Sequence, residues 1–146
     1  MHTVTPSVLL TRALLADAAV SACAGVLQLT NTERLVAALE LPRLLLIGTG
    51  EFMLVYAAAL VWMATRARLW SAVVKFIVLG NLAWAGASLG LLFTGVLSPS
   101  PLGVAIVLAQ AGAVVLLAGL EWAGLRASAP SAAPGVAPAT PHEVGR

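Results

Sequence analysis

Charge is what this chain most lacks. Only 10% of its 146 residues are charged and 60% are hydrophobic, whereas soluble domains carry about 25% charge. A water-soluble fold of this length has too little interior to hide so much apolar surface. The mean hydropathy of +0.99 therefore marks a membrane protein. The basic residues are few and scattered, so no patch is present to grip nucleic acid. The single cysteine, Cys23, excludes an internal disulfide and any CxxC metal or redox pair. Histidine occurs only as His2 and His142, near the two ends. No helix can offer a histidine pair to a haem or a di-metal centre. With no visible nucleophile–base pair or metal set, neither an enzymatic activity nor a cofactor is expected.

What is abundant is long apolar runs. Four segments, about 7–29, 44–64, 70–97 and 102–124, are each long enough to cross a hydrocarbon core of roughly 30 Å as a helix. Their separators carry the remaining charge and the helix breakers. "TNTERLVAALELPR" ends the first interval, "TRAR" (Thr65 to Arg68) is a tight basic turn, and "SPSP" (Ser98 to Pro101) stops one helix and starts the next. In the first connection Thr30 and Glu33 fit a capping box, and Leu35, Val36 and Leu39 recur at helical spacing. That pattern predicts a short amphipathic helix over 31–41, lying at the membrane surface. From Ala127 onward the Ala/Pro-rich sequence has no periodic apolar face and reads as a disordered tail, 127–146.

Orientation follows from basic residues near the span ends. With the N-terminus in the cytoplasm, that side holds Arg12, Arg66, Arg68, Lys75 and Arg126, and the far side only Arg34 and Arg43. Trp62, Trp70 and Trp122 fall near the same cytoplasmic interface, as belt residues do, while Trp84 sits deep. Both termini are therefore expected inside. "VSAC" (Val20 to Cys23) matches a bacterial lipobox, but Asp17 interrupts the apolar stretch that a cleaved leader needs.

Every span places one strongly polar residue near its middle: Asp17, Glu51, Asn81 and Gln110. Each has polar or small companions at helical spacing. Asp17 goes with Ser21, Ala24 and Gln28, and Glu51 with Gly48, Val55, Ala58 and Trp62. Asn81 goes with Trp84, Ala85 and Ser88, and Gln110 with Gly103, Val114, Leu117 and Glu121. An acidic residue at a helix centre costs about 2.5–3.5 kcal/mol, and each Leu, Val, Ile or Phe returns only roughly 0.3–0.6. The first span has nine such residues to set against Asp17, so Asp17 is expected to face partners. The expectation is one polar layer with all four residues pointing inward, Glu51 beside Asp17. Such a layer is either interhelical hydrogen-bond glue or a site where carboxyls exchange a proton against a cationic ligand. Glu121 reads as a surface ion-pair residue, Cys23 as a small buried residue, and Gly86 with Gly90 as a GxxxG step for close helix packing.

"RALLADAAVSACAG", "GNLAWAGAS", "LGVAIVLAQAGAV" and "LEWAGLR" resemble uncharacterised short bacterial four-span integral membrane proteins, over roughly residues 8–126. The resemblance implies a bacterial inner-membrane protein and supplies no activity. Small multidrug-resistance transporters share four short spans and a membrane-embedded acid in the first helix, a place Asp17 would fill. DoxX-like proteins are similar in architecture alone. The membrane glutathione-transferase group is also four-helix, but its charged helix-2 motif is absent here. The expected fold is an all-α, four-helix transmembrane bundle. The expected function is a non-enzymatic binding or accessory protein using Asp17, Glu51, Asn81, Gln110 and Trp84 as a ligand- or proton-binding set. The second expectation is a proton-coupled small-molecule transporter acting as a homodimer. The partners expected are the lipid bilayer and a membrane protein or a second copy.

Overall fold

The structure is a computed structural model that describes residues 2–131. It is an all-α bundle with helices α1 (Val8–Thr30), α2 (Thr32–Leu39), α3 (Arg43–Ala64), α4 (Ser71–Phe93) and α5 (Pro101–Arg126). All but α2 are long and apolar enough to cross a membrane, which suits a small multi-pass membrane protein. Their outer faces carry large apolar side chains such as Val55, Phe76, Leu79 and Leu116, all exposed. Such a surface would be a liability in water and is what hydrocarbon requires.

The helix ends follow local chemistry. Ser7 caps α1 by accepting a hydrogen bond from the Leu10 N–H at 3.1 Å. Its hydroxyl donates to the Gly124 carbonyl at 2.8 Å, so the same side chain ties the start of α1 to the end of α5. At the opposite end Ser100 caps α5 through the Gly103 N–H, 3.1 Å, ahead of Pro101 in the first turn. The Ser100 hydroxyl also donates to the Ala38 carbonyl of α2 at 2.7 Å. Helix α2 is amphipathic, with Thr32 and Leu39 buried against the bundle and Glu33 outside. The expected capping box does not form there. Thr30 closes α1, Asn31 begins α2 without a side-chain cap, and Glu33 pairs with Arg43 at 2.6 Å on the surface. Helix α4 stops at Phe93, short of the expected residue 97, because Gly95 takes a left-handed backbone (φ 69°) that ends it before the prolines.

Three short strands were not legible as such in the sequence. β1 (Thr3–Thr5) lies between β2 (Leu69–Trp70) and β3 (Ala129–Pro130), antiparallel to both. Val4 pairs with Leu69 on one side and with Pro130 on the other. Pro130 is tolerated because β3 is an edge strand. The sheet brings the N-terminal segment, the α3–α4 turn and the segment after α5 to one end of the bundle. The beginning of the expected tail is thus paired at Ala129–Pro130 rather than free, and residues 132–146 lie outside those described.

Helix α1 is the spine. It packs along α3 on one side and α5 on the other, and α4 packs on α5. Leu10, Leu14, Leu60, Val74 and Leu125 make the core at the sheet end, while Leu39, Leu41 and Leu46 make a smaller one under α2. Two glycines set these approaches. A Cβ on Gly25 would lie 2.8 Å from the Gly50 carbonyl oxygen, and one on Gly124 would lie 2.6 Å from the backbone of Leu10. Helices α3 and α4, by contrast, scarcely meet through their backbones, which leaves the bundle open along one seam.

Gly124→Ala is expected to lower the thermal midpoint of the detergent-purified protein by the equivalent of about 1–3 kcal/mol, because the clash is with backbone. Gly119→Ala, where nothing lies within 4 Å, should leave it unchanged or raise it slightly. Equal behaviour of the two variants would refute the close α1–α5 approach.

Candidate functional site

The direction of each helix decides what meets in the middle. Side chains lean toward the N-terminus of their own helix. Helix α5 runs toward the sheet, so the long side chain of Glu121, rooted near the sheet end, climbs toward the centre. Helix α1 runs away from the sheet, and the side chain of Asp17 leans back toward it. The two carboxyls converge, and the structure buries both: Asp17 is 2% exposed and Glu121 0%. Glu121 is therefore a core residue rather than half of a surface ion pair.

Asn81 of α4 lies between them, its amide Nδ2 donating to Asp17 Oδ2 at 2.9 Å and to Glu121 Oε2 at 3.3 Å. The Tyr56 hydroxyl of α3 sits 2.9 Å from Asp17 Oδ2 and 3.0 Å from Asn81 Oδ1. Ser21, one turn beyond Asp17, donates to Asp17 Oδ1 at 3.3 Å. All four long helices thus contribute to one polar cluster in a region where unmet polar groups are costly.

A count of hydrogens shows what the cluster lacks. The Tyr56 hydroxyl has one hydrogen and two acceptors within reach, and the two N–H bonds of Asn81 are both committed to carboxylates. Glu121 Oε1 is buried with no hydrogen-bond partner among the described residues. The cluster is rich in acceptors and short of donors.

Three of the expected faces point inward. Asp17 and Ser21 are buried, as are Asn81 and Ala85, and Gly103, Leu117 and Glu121. The fourth does not. Gly48, Glu51, Val55, Ala58 and Trp62 do share a face of α3, but all five are exposed. Glu51 points away from Asp17, and this corrects the expectation of an inward Glu51. The cause is the α1–α3 contact: Gly50 packs on Gln28 and Leu29 of α1 and meets Gly25. Its neighbour Glu51, about 100° further round the helix, is turned out. The residue that replaces it in the cluster is Tyr56, the only tyrosine of the chain.

Gln110 is half-buried but stands apart from the Asp17 cluster. It lines a separate cavity of about 210 Å³ near α2, together with Gln28, Thr49, Ser88 and Trp84. Trp84 also walls a second cavity of about 320 Å³, which holds Asp17, Ser21, Tyr56 and Asn81. Its indole stacks on Phe52 across the α3–α4 seam, with ring centroids 5.4 Å apart and planes 9° off parallel. Phe52 in turn stacks on Tyr56 at 6.0 Å. Cys23 is exposed rather than buried. Among the described residues nothing approaches Gly86 or Gly90 within 4 Å of an added Cβ, so the GxxxG step packs against none of these helices.

Tyr56 and Glu121 were the two residues missed as site members. Glu121 carried a usable signal, since it shares a helical face with Gln110, and its depth alone argued for the interface. Tyr56 carried none until the α3 rotation was known. Chemically, two carboxyls, a phenol, a hydroxyl and an amide make an acceptor-rich cradle suited to a proton or another hydrogen-bond-donating cation.

Removing the Asn81 bridge takes two donors from facing carboxylates, so Asn81→Leu should destabilise the purified protein by about 1–3 kcal/mol. Glu51→Leu, which removes a carboxyl from an outer face, should be neutral or stabilising. Thermal unfolding in detergent measures both, and a large loss with Glu51→Leu would contradict its outward position.

No protein-family model, curated protein or solved structure matches this chain.

Proposed function

We propose that this protein is a small, non-enzymatic inner-membrane binding protein, and that it holds a cationic ligand at the Asp17–Glu121 cluster. The ligand class is an amine on an apolar body. One observation carries the reading: Asp17 lines an aromatic-walled cavity, and behind it Glu121 Oε1 is buried with no hydrogen-bond partner among the described residues. An ammonium group supplies several hydrogens and a positive charge to the acceptor-rich cradle. The cavity above Asp17 is lined by Phe52, Tyr56, Phe76 and Trp84, whose ring faces attract cations and whose edges accept apolar surface. It borders the open α3–α4 seam, through which a lipid-soluble amine arrives sideways from the bilayer.

The topology that goes with this reading has both termini in the cytoplasm. The sheet end gathers Arg12, Arg66, Arg68, Lys75 and Arg126, against Arg34 and Arg43 at the other end, which supports it under the positive-inside rule. The Arg66 guanidinium lies 4.2 Å over the Trp62 ring at that end, an arrangement suited to the headgroup zone.

A second reading, proton-coupled exchange by a homodimer, draws on two observations. A proton on Asp17 Oδ2 would let Asp17 donate to Tyr56, Tyr56 to Asn81, and Asn81 back to Asp17, a closed ring of hydrogen bonds. Proton and amine then compete for the same oxygens. The outward Glu51, flanked by Gly48 and Ala58, favours a parallel α3–α3 contact between two copies, in which paired carboxyls share a proton away from lipid.

Dodecylamine titrated into the detergent-purified protein, followed by tryptophan fluorescence and calorimetry, tests the binding reading. Asp17→Asn and Glu121→Gln should each weaken binding by roughly ten- to a hundredfold, the value of a charge-assisted hydrogen bond. Affinity should fall as pH falls, because protons occupy the carboxyls while the amine stays charged. Variants that fold yet bind as well as wild type would sink the proposal.

A further inference from the structure

The cavity around Gln110 has the same kind of unmet chemistry as the carboxyl cluster, but without charge. Among the described residues the Gln110 amide has no hydrogen-bond partner. The Gln28 amide oxygen lies 2.7 Å from the Thr49 hydroxyl, whose single hydrogen also has the Leu45 carbonyl at 2.7 Å, so this amide too is incompletely paired. Ser88 turns its hydroxyl onto the Trp84 carbonyl at 2.8 Å, so it adds little. The remaining walls are aliphatic, from Leu41, Leu45 and Leu91 among others, and no Asp, Glu, Lys or Arg lines the space. Two glutamine amides in an apolar chamber present both donors and acceptors to an uncharged polar group.

This chamber and the carboxyl cavity are neighbours on the same seam. Both take walls from α3 and α4, the two helices whose backbones barely meet, and Trp84 lines both. The indole is a shared wall of the two, held by the Phe52 stack. On α1, Asp17 marks the acidic chamber and Gln28 the amide chamber; the eleven-residue step from one to the other rises about 16 Å along the helix axis.

We propose that the two chambers are subsites of one elongated ligand site. The ligand is an amphiphile with an amine at the Asp17 end, an apolar segment lying against Trp84, and an uncharged hydroxyl, carbonyl or amide group at Gln28 and Gln110. This rests on the cationic-ligand reading above and narrows it. A simple alkylamine fills the first chamber and lies against Trp84, and leaves the two amides unpaired, which limits its affinity.

The probes are an ω-amino alcohol whose nitrogen and oxygen lie about 16 Å apart, the rise from Asp17 to Gln28 on α1, and the alkylamine of the same chain length. Both are titrated into the detergent-purified full chain by calorimetry. Wild type should bind the amino alcohol up to about tenfold more tightly, the value of one to two net hydrogen bonds. Gln110→Leu and Gln28→Leu should each shrink that ratio toward one, while Asp17→Asn weakens both probes together. Equal affinity of the two probes for wild type, or a ratio unchanged in both glutamine variants, overturns the two-chamber site and leaves the carboxyl site standing. If neither probe binds wild type, the cationic-ligand reading falls and this inference falls with it. The wild-type comparison needs no variant, so a misfolded variant does not decide the outcome.

Discussion

The meeting of Gly25 and Gly50 governs what this bundle can be. With no side chain on either helix at that level, α1 and α3 approach until a Cβ on Gly25 would lie 2.8 Å from the Gly50 carbonyl oxygen. Close backbone contact of this kind is the main source of association between helices in lipid, where apolar side chains gain nothing by leaving hydrocarbon for one another. Once Gly50 faces α1, the rotation of α3 is fixed along its length. Met53, Ala57 and Leu60 then enter the core, Tyr56 reaches Asp17, and Glu51 turns outward. The polar cluster is a consequence of that packing as much as of its own hydrogen bonds.

That dependence explains which parts of the molecule the sequence disclosed. Length and hydropathy were enough for four long helices, and the helical spacing around Asp17, Asn81 and Gln110 was enough for three inward faces, because a polar residue among apolar ones marks the side that must avoid lipid. Glu51 breaks this rule, because on α3 the glycine one residue earlier, and not the carboxyl, decides the rotation of the helix. Glu121 is a different case. Its backbone lies near the sheet end, but a long side chain on a helix running toward that end leans several ångströms back to the centre. Depth counted from the backbone misplaces such a residue, whereas for the short Asp17 it does not. The strands were illegible because residues 3–5, 69–70 and 129–130 are too short to show alternation, and they pair only because the helices bring them together.

Satisfying polar groups inside a bilayer usually leads toward closure, with every donor matched to an acceptor. This cluster stops short of it. Four helices contribute, yet two carboxyls face a set of donors that a single phenol, hydroxyl and amide cannot stretch to cover. A purely structural glue would be served better by one carboxyl than by two, since Asp17 with Tyr56, Asn81 and Ser21 is already a satisfied set. Glu121 is the surplus member, brought into the core with one oxygen left bare. A surplus acceptor in an apolar interior is expensive to keep, and its presence is easier to understand if the missing donor is a proton or ligand that comes and goes.

The open seam points the same way. Helices α1, α5 and α4 pack in succession, and α3 lies on the other side of α1, so closing the ring would require α3 and α4 to approach. The aromatic rings of Phe52 and Trp84 stand between them and stack face to face at 5.4 Å. Small side chains at those places would let the two backbones come closer than these rings allow. Stacked aromatics instead hold the helices apart, and Trp84 becomes a wall of both the cavity that holds Asp17 and the cavity that holds Gln110. An opening between helices is harmless in a bilayer only if its walls are apolar, and these are, apart from the few polar groups at its base. The seam is therefore compatible with lipid when empty, which leaves room for the two cavities that tight packing of α3 on α4 would have denied.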